Sequence, residues 1–253
     1  MIKQIAEHRS HRRFSDRPVP EHIMRDVLTA ATRASNTGNM QVYSIVVTTD
    51  SEIRKKLEPC HFSQPAAKAP AIITFCADVR RFSRWCRLRG ATPEYDNFVW
   101  FLNAATDAIL ASQNLALEAE SHGLGICYLG TTLYNAPEIS AILRLPEGVI
   151  PVTTVAVGYP EPPTDAASEV PLTDRLPLEA VVHDDVYRDP SDADIERFWA
   201  SRESSEETAA LLAANGLPNL ARIFTERRYK GDDNRAFSRK YFDEMVKKGF
   251  FNN

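Results

Sequence analysis

The chain has 253 residues, of which 43% are hydrophobic and 25% are charged, and its formal net charge at pH 7 is -4. This composition excludes a wholly disordered chain and allows either one large hydrophobic core or two small ones. The acidic balance excludes a general attraction to nucleic acid or anionic membranes, so any anion-binding site has to be local.

The N-terminal residues carry several cations but lack the apolar core of a signal peptide, and no stretch has the roughly 20 apolar residues of a membrane-spanning helix. We therefore expect a cytoplasmic protein with no membrane partner. The cysteines lie too far apart for the CxxC spacing of zinc or redox pairs, which favours buried, reduced thiols and no metal site. They are Cys60, Cys76, Cys86 and Cys127.

Hydrophobic periodicity predicts the elements of the first half of the chain. Apolar residues at helical spacing indicate a helix over residues 20–33, which is followed by a loop of small polar residues and Gly38. Short runs rich in β-branched residues indicate buried strands. The predicted strands span residues 43–49, 71–75, 126–129 and 149–157.

A long helix is predicted over residues 95–122, where Gly123 stops it. Its apolar residues point in nearly all directions, so it must be buried on several sides. In a chain of this length the simplest second neighbour is another subunit, and we expect a homodimer. The alternative is a central helix within a monomer.

The sequence changes character after Gly158. A proline-rich stretch, poor for helices and central strands, indicates a wrapping arm or linker. From Asp192 onward the pattern is charged and helical, and residues 234–248 place four apolar side chains on one side. These are Phe237, Tyr241, Met245 and Val246. We expect a core over residues 1–190 and a helical extension over residues 191–253 that packs on the core or on a partner subunit.

A basic segment near the N-terminus is the first candidate site. It contains His8, Arg9, Ser10, His11, Arg12, Arg13 and Phe14. Arginine offers a planar fork of donors for phosphate oxygens, and serine can add a hydrogen bond. Taken alone, such a cluster is more often a solvated basic surface or a weak nucleic-acid patch.

Two further segments contain turn-forming residues. Residues 35–41 form a small polar loop directly before a predicted strand, and alone they indicate only a turn. In residues 120–130, Gly123 and Gly125 allow the backbone to leave the long helix and enter a strand. Because the helix precedes the strand, this is not the GxGxxG dinucleotide fingerprint. The sequence also has no Walker, HExxH or GxSxG motif, which disfavours P-loop phosphoryl transfer, zinc proteolysis and α/β-hydrolase chemistry.

Together, these three segments resemble the nitroreductase family of FMN enzymes in identity, order and spacing. The family's H/R-R-S-x-R-x-F element is matched by His8, Arg9, Ser10, Arg12 and Phe14. Its P-S-x-G-N-x-Q loop is matched by Asn36, Gly38, Asn39 and Gln41. Its E-S-x-G-L-G-x-x-Y-x-G element is matched by Glu120, Ser121, Gly123, Leu124, Gly125, Tyr128 and Gly130. The resemblance covers residues 2–183 and is closest to the NADPH-dependent major nitroreductases and the flavin reductases of luminous bacteria.

The resemblance implies an α+β fold in which a mostly antiparallel sheet lies between helices, and two subunits exchange arms around FMN at their interface. It also implies an FMN-dependent oxidoreductase. Such an enzyme takes hydride from NADPH or NADH at flavin N5 and passes it, in a ping-pong cycle, to nitroaromatics, quinones or similar small acceptors. Because the cofactor supplies the redox chemistry, no side-chain nucleophile is required. No nucleic-acid partner is expected.

The same resemblance implies which residues bind FMN. The phosphate, ribityl and pyrimidine edges would be bound by His8, Arg9, Ser10 and Arg12. The flavin ring would lie against the backbone of Tyr128, Leu129 and Gly130. The remaining implied contacts are Asn36 near the flavin, Gln64 at the ring and Arg175 at the phosphate.

The sequence departs from the family at two positions. Thr173 stands where a lysine is usual, which removes one phosphate cation, and Thr131 stands where close relatives have a second glycine. The C-terminal part offers cations that could contact the 2′-phosphate of NADPH, although a charge of this kind is more often an ordinary surface residue than a ligand contact. These cations are Arg222, Arg227, Arg228, Lys230 and Arg235. Four aromatic residues could shape a pocket for the electron acceptor, although packing in the core or in an interface is the more common role of such residues. They are Tyr229, Phe237, Trp85 and Trp100.

Three other functions stay open at this point. The reduced flavin could have a different fate: it could be released to a partner, as in a flavin reductase, it could reduce quinone or chromate, or it could serve a specialised oxidation. It could bind flavin without turnover. A phosphate- or RNA-binding module built on the basic segment is the third function, but it leaves the other two matching segments unexplained.

Overall fold

The structure of the protein is a computed structural model, which describes residues 1–162, 172 and 174–251. Its residues group by contacts into a first unit, Met1–Pro171 with Phe237–Asn253, and a second unit, Leu172–Ala236. The domain boundary expected at residue 190 stays a prediction, because a grouping by contacts does not identify domains that fold independently.

Among the described residues, four strands form an antiparallel sheet in the order β1-β2-β4-β3. They are β1 (Tyr43–Thr48), β2 (Ala71–Asp78), β3 (Gly125–Tyr128) and β4 (Val149–Gly158). Every residue of β2 is buried, as expected for a central strand that is covered on both faces. The predicted strands and the α+β fold with a mostly antiparallel sheet are therefore confirmed.

Helices account for most of the remaining chain. The described α-helices are α1 (Lys3–Ala6), α2 (Glu21–Thr32), α3 (Ser51–Leu57), α4 (Arg80–Leu88), α5 (Phe98–Ser121), α6 (Ala136–Ile142), α7 (Asp192–Glu203), α8 (Glu206–Asn215), α9 (Leu220–Ile223) and α10 (Gly231–Lys247). The helices α2 and α5 confirm the two predicted in the first half, and α7 to α10 confirm the helical C-terminal part. Most of the proline-rich stretch lies outside the described residues.

The long helix α5 is buried on one side and exposed on the other within a single chain. Asn97 caps its start by accepting a hydrogen bond from the Trp100 amide, and Gly123 follows its end with a left-handed φ of 72°. Small residues fill its buried side, as in Ala104, Ala108, Ala111, Ala116 and Ala119. Large apolar side chains are exposed at Phe98, Val99, Leu102, Ile109 and Leu110.

Two glycines allow the chain to pack tightly at the ends of β3 and β4. A Cβ atom on Gly125 would lie 2.8 Å from Pro160 and 2.9 Å from His11. A Cβ atom on Gly158 would lie 2.6 Å from the Pro70 ring. Such distances are shorter than any van der Waals contact, so a side chain at either position would displace the N-terminal segment or Pro70, which lies directly before β2.

The helix α10 carries the predicted apolar face with one correction. Tyr241 and Met245 face inward, but Val246 is 46% exposed, and Glu244, only 3% exposed, lies inside instead. The Glu244 carboxylate lies 3.8 Å from Nζ of Lys248. Glu244 can occupy an inward position because Lys248, a nearly buried residue of opposite charge, lies beside it.

The four cysteines are free and buried, as predicted. Burial raises the pKa of the Cys76 thiol to about 12 and also raises the pKa of Cys127. These thiols therefore stay protonated and act as apolar core side chains. Within the described part of the chain, no helix is both long and apolar enough to cross a membrane.

Candidate functional site

The basic N-terminal segment is fixed to the sheet by its backbone. Ser10 forms a parallel bridge with Ile126 of β3, and the His11 amide donates to the Ile126 carbonyl at 2.9 Å. Phe14 forms an antiparallel bridge with Pro160, just beyond β4. The structure thus brings together two segments that are more than 100 residues apart in sequence, the basic segment and the 120–130 turn.

A carboxylate at the end of α5 holds the first residue of the basic segment. Nδ1 of His8 lies 2.7 Å from Oε1 of Glu120. Burial raises the pKa of Glu120, and its Oε2 atom is buried without a hydrogen-bond partner among the described residues. The pKa of His11 is lowered, first by burial and then by the charges of Arg9 and His8. The segment therefore combines a partly buried anchor, His8 with Glu120, with the exposed cations Arg12 and Arg13.

The arginines of this segment differ in their surroundings. Arg9 is partly buried, and its Nε donates to the Glu7 carbonyl at 3.3 Å. Arg12 is exposed, and its Nη1 reaches the Ser10 carbonyl only at the long limit of 3.5 Å. No described carboxylate forms an ion pair with Arg12, so its guanidinium retains donors for an external anion.

The backbone after β3 offers one open position. The Leu129 amide donates to the Thr154 carbonyl at 2.8 Å, and the Leu129 carbonyl accepts from Thr132. Leu129 is fully buried, and the Tyr128 hydroxyl is hydrogen-bonded to Ser112 at 3.0 Å. Gly130, by contrast, is exposed, and a Cβ atom there would meet nothing within 4 Å. Of the three predicted ring contacts, Gly130 is the exposed one, and it has free space at its Cα.

A second loop meets the chain immediately after Gly130. Nδ1 of His61 lies 2.9 Å from Oγ1 of Thr131, and Nε2 of Gln64 donates to the same oxygen at 3.5 Å. Phe62 and Ser63, between them, have left-handed φ values of 54° and 48°. Non-glycine residues in this region cost conformational energy and cluster at functional sites. Gln64 is therefore held beside the open position at Gly130.

The small polar loop before β1 is also conformationally unusual. Oδ1 of Asn36 accepts a hydrogen bond from the Gln41 amide at 3.1 Å, which closes the loop. Left-handed φ values occur at Gly38, Asn39 and Gln41. The loop is tied to α5, since the Thr37 amide and hydroxyl both donate to Oδ1 of Asp107, at 2.9 and 3.1 Å. Asn36 thus serves the loop itself in this structure.

Sequence reasoning missed Asp107 and His61, which support the site from behind. Asp107 is 2% exposed and fixes the polar loop, and His61 is 1% exposed and contacts Thr131. A signal was available for Asp107, because it is the one acid among the first twenty residues of an otherwise apolar helix. His61 has no comparable signal in the sequence, since its contact partner is 70 residues away.

Arg175 belongs to the second unit and is exposed there. Its neighbour Thr173, at which one phosphate cation is missing, lies outside the described residues. The candidate 2′-phosphate contacts are surface charges: Arg222 pairs with Glu226 at 3.5 Å, and Arg235 pairs with Asp232. The residues that the structure brings together are therefore those of the first unit.

The aromatic candidates mostly pack against other rings. Phe237 stacks on Tyr134 with ring centroids 4.3 Å apart, and Trp100 lies 4.3 Å from Tyr95. Trp85 contacts Phe82 yet is 52% exposed. Tyr229, the fourth candidate, lies 6.1 Å from the ring of Phe224.

The donor set of the first unit fits the cofactor that the sequence resemblance implies. Guanidinium groups suit a phosphate, and a serine hydroxyl and a glutamine amide suit the polar edge of a flavin. The space beside Gly130 admits a flat ring close to the backbone. Among the described residues, no group of three or more histidine, cysteine, aspartate or glutamate side chains is arranged to hold a metal ion.

Comparison with known proteins links this arrangement to a family. Residues 5–159 match the model of the nitroreductase family. The FMN reductase (NADPH) of Bacillus subtilis (strain 168) is 32% identical over 189 residues, which cover 74% of each sequence.

Two solved structures share the fold over nearly the whole chain. A crystal structure from Bacteroides fragilis NCTC 9343 is 41% identical, with a TM-score of 0.94 over 99% of this chain and 100% of that chain. The NADPH:FMN oxidoreductase of Vibrio harveyi, complexed with NAD+, is 25% identical, with a TM-score of 0.75 over 99% of this chain and 98% of that chain.

Proposed function

This chain belongs to the nitroreductase family, and on that premise we propose that its first unit binds FMN through the basic segment and the open backbone at Gly130. The protein is an FMN-dependent NAD(P)H oxidoreductase. We further propose that it works in the cytoplasm, which the four buried, unpaired cysteines support.

One observation carries the proposed site. The bridge between Ser10 and Ile126 places the cations of the basic segment beside β3, whose chain continues directly to Gly130. A phosphate held by Arg9 and Arg12 and a ring held near Gly130 then belong to one ligand that runs along this edge of the sheet. None of the three sequence segments would by itself predict a site for this ligand.

Each predicted residue has a distinct role in this arrangement. Arg9 and Arg12 neutralise the phosphate, and His8, oriented by Glu120, and Ser10 add donors to its polar groups. Gln64 bonds the polar edge of the ring. The predicted roles of Asn36 and Arg175 are retained as proposals. For Leu129 the role is indirect, because its amide and carbonyl are already bonded within the protein.

When bound, FMN supplies hydride chemistry at its N5 atom, which accepts hydride from NAD(P)H and passes it to a small acceptor such as a nitroaromatic or a quinone. The protein orients the ring and leaves one face accessible. Its cysteine thiols contribute no nucleophile, because burial raises the pKa of Cys60, Cys76 and Cys127.

We propose a homodimer with arms exchanged between subunits, and a C-terminal extension from residue 191 that packs on the core or on the partner. The exposed side chains of α5 support it, since monomers rarely leave so many large apolar groups in solvent. They are Phe98, Val99, Leu102, Ile109 and Leu110. Sedimentation at micromolar concentration checks the mass, and a monomer would contradict this part of the proposal.

Initial-rate kinetics test the activity. We expect parallel double-reciprocal lines when NADPH and a nitroaromatic or quinone are varied together, because donor and acceptor occupy the same place in turn. Intersecting lines would contradict the ping-pong cycle, and no oxidation of NADPH or NADH with any acceptor would contradict the proposed function. Rapid turnover with free FMN as the preferred acceptor would favour the flavin reductase, the alternative that the Bacillus subtilis relative supports.

A further inference from the structure

The contact between His61 and Thr131 points to a role for the Thr131 side chain, which the sequence resemblance does not explain. The sequence resemblance implies that Thr131 stands where close relatives have glycine. Its hydroxyl oxygen lies 2.9 Å from Nδ1 of His61 and 3.5 Å from Nε2 of Gln64. Two nitrogen atoms from one loop thus converge on one hydroxyl. This hydroxyl follows Gly130, the open position of the site.

The tautomer of His61 follows from its burial. His61 is 1% exposed, and its Nε2 atom has no hydrogen-bond partner among the described residues. A buried N–H without a partner is costlier than a buried lone pair without one. On this ground the hydrogen is assigned to Nδ1, so that His61 donates to Thr131.

The direction of the Thr131 hydroxyl follows in turn. A threonine oxygen has two acceptor lone pairs and one hydrogen. His61 and Gln64 both donate to this oxygen, so its lone pairs are used. The remaining hydrogen must point away from both nitrogens, and Thr131 is then a donor available to a ligand.

We propose that the Thr131 hydroxyl donates a hydrogen bond to the polar edge of the bound flavin ring, and that His61 is a positioning residue that fixes its direction. The inference rests on the proposed function, because it requires FMN beside Gly130. The contact would be made by a side chain at a position where, by the sequence resemblance, close relatives have glycine.

A role for His61 as a proton donor is less consistent with the same observations. Burial lowers its pKa to about 4, so the imidazole is neutral at pH 7. Its Nε2 atom has no hydrogen-bond partner among the described residues. A proton path needs a source behind the histidine, whereas a positioning role needs only the Nδ1 hydrogen.

The test compares two substitutions at Thr131. Thr131→Val keeps the shape and removes the hydroxyl, whereas Thr131→Ser keeps the hydroxyl. We expect the FMN dissociation constant, measured from the fluorescence of flavin released on dilution of the holoenzyme, to rise roughly tenfold in Thr131→Val. The flavin absorption band should shift in the same variant. Thr131→Ser should stay within about twofold of the parent.

Two further variants separate the hydroxyl from general packing. Thr74→Val removes a buried hydroxyl in β2 that bonds only Thr154, at 3.2 Å, and should leave the flavin spectrum unchanged. His61→Asn retains a donor near the Nδ1 position and should bind FMN more tightly than His61→Leu. Equal binding by both His61 variants would overturn the positioning role.

Each remaining result has a defined meaning. Parental affinity and spectrum in Thr131→Val would overturn the inference while leaving FMN binding intact. Equal losses in Thr131→Val and Thr131→Ser would also overturn it, because the hydroxyl would then be irrelevant. Failure of the unsubstituted protein to bind FMN would overturn the proposed function and this inference together.

Discussion

The two compact units of this chain differ in whether their described ion pairs include a buried one. The first unit contains exposed ion pairs, such as Lys55 with Glu52, and also a buried one, in which Glu244 is 3% exposed beside Lys248. In the second unit, Arg197 pairs with Glu179 and Asp194, and all three side chains are at least 43% exposed. Water screens exposed pairs far more than buried ones, so removing one partner should cost more stability at the Glu244–Lys248 pair than at the exposed pairs of either unit.

The same contrast applies to the candidate site. Contacts that hold the first unit together, such as the Ser10–Ile126 bridge and the His8–Glu120 contact, also hold the predicted FMN ligands. Arg175, the one predicted ligand in the second unit, is exposed and lies outside any helix or strand. Stability and cofactor binding should therefore be coupled in the first unit and independent in the second.

Removing one partner of the buried pair should have the largest effect. Lys248→Met leaves the Glu244 carboxylate buried without its cation, and we expect the free energy of unfolding to fall by about 4 kcal/mol. Lys247→Met is the matched control, because Lys247 lies 4.0 Å from the same carboxylate but is 76% exposed. Chemical denaturation measures both, and equal losses would break the contrast between buried and exposed charges.

Acid should destabilise the first unit through His61. Burial lowers its pKa from 6.5 to about 4. Between these two pH values the imidazole of His61 is protonated in the unfolded chain but stays neutral in the folded chain. The free energy of unfolding should then fall by about 3 kcal/mol between pH 6.5 and 4. His61→Asn should show a shallower slope over this window, whereas His22→Asn, at an exposed histidine, should match the parent. Parallel slopes in all three proteins would contradict a buried, neutral His61.

Cofactor binding should depend on the two units unequally. Arg12→Ala removes a charged donor from a segment that backbone pairing fixes, and we expect the FMN dissociation constant to rise about thirtyfold. Arg175→Ala should raise it by only about threefold, since ordering an exposed side chain offsets part of its attraction. Arg25→Ala, on the exposed side of α2, is the control. Equal effects of Arg12→Ala and Arg175→Ala would abolish the proposed difference between the units.

The smallest effect should come from the second unit's exposed ion pairs. Arg197→Ala removes contacts to Glu179 and Asp194 that water already weakens. We expect a melting temperature within about 1 °C of the parent. A clear loss of stability would show that these contacts act as a network, and the contrast would need revision.

The fold was largely predictable because most of its helices and strands have a recognisable pattern in the local sequence. Short runs rich in β-branched residues located β1 to β4, and Gly123 located the end of α5 within two residues. Val246 was predicted to face inward, and it does not. Periodicity identifies a helical face but cannot foresee that Glu244 takes an inward position with the help of Lys248.

The site was predictable only in part. Motif spacing identified the basic segment and the turn at Gly130, but the contacts that orient them depend on residues far away in sequence. His61 is 70 residues from Thr131, and Thr37 is 70 residues from Asp107. Asp107 is conspicuous as an acid in α5, but the sequence does not indicate its partner, because only folding brings the two residues together.

The most direct test of the whole account is the visible spectrum of the purified protein, recorded before and after anaerobic addition of NADPH or NADH. We predict a flavin absorption peak that the nucleotide bleaches, with one nucleotide acting faster than the other. A protein that is colourless and takes up no added FMN would contradict the account. A flavin peak that neither nucleotide bleaches would mean that the protein binds the cofactor without turning it over.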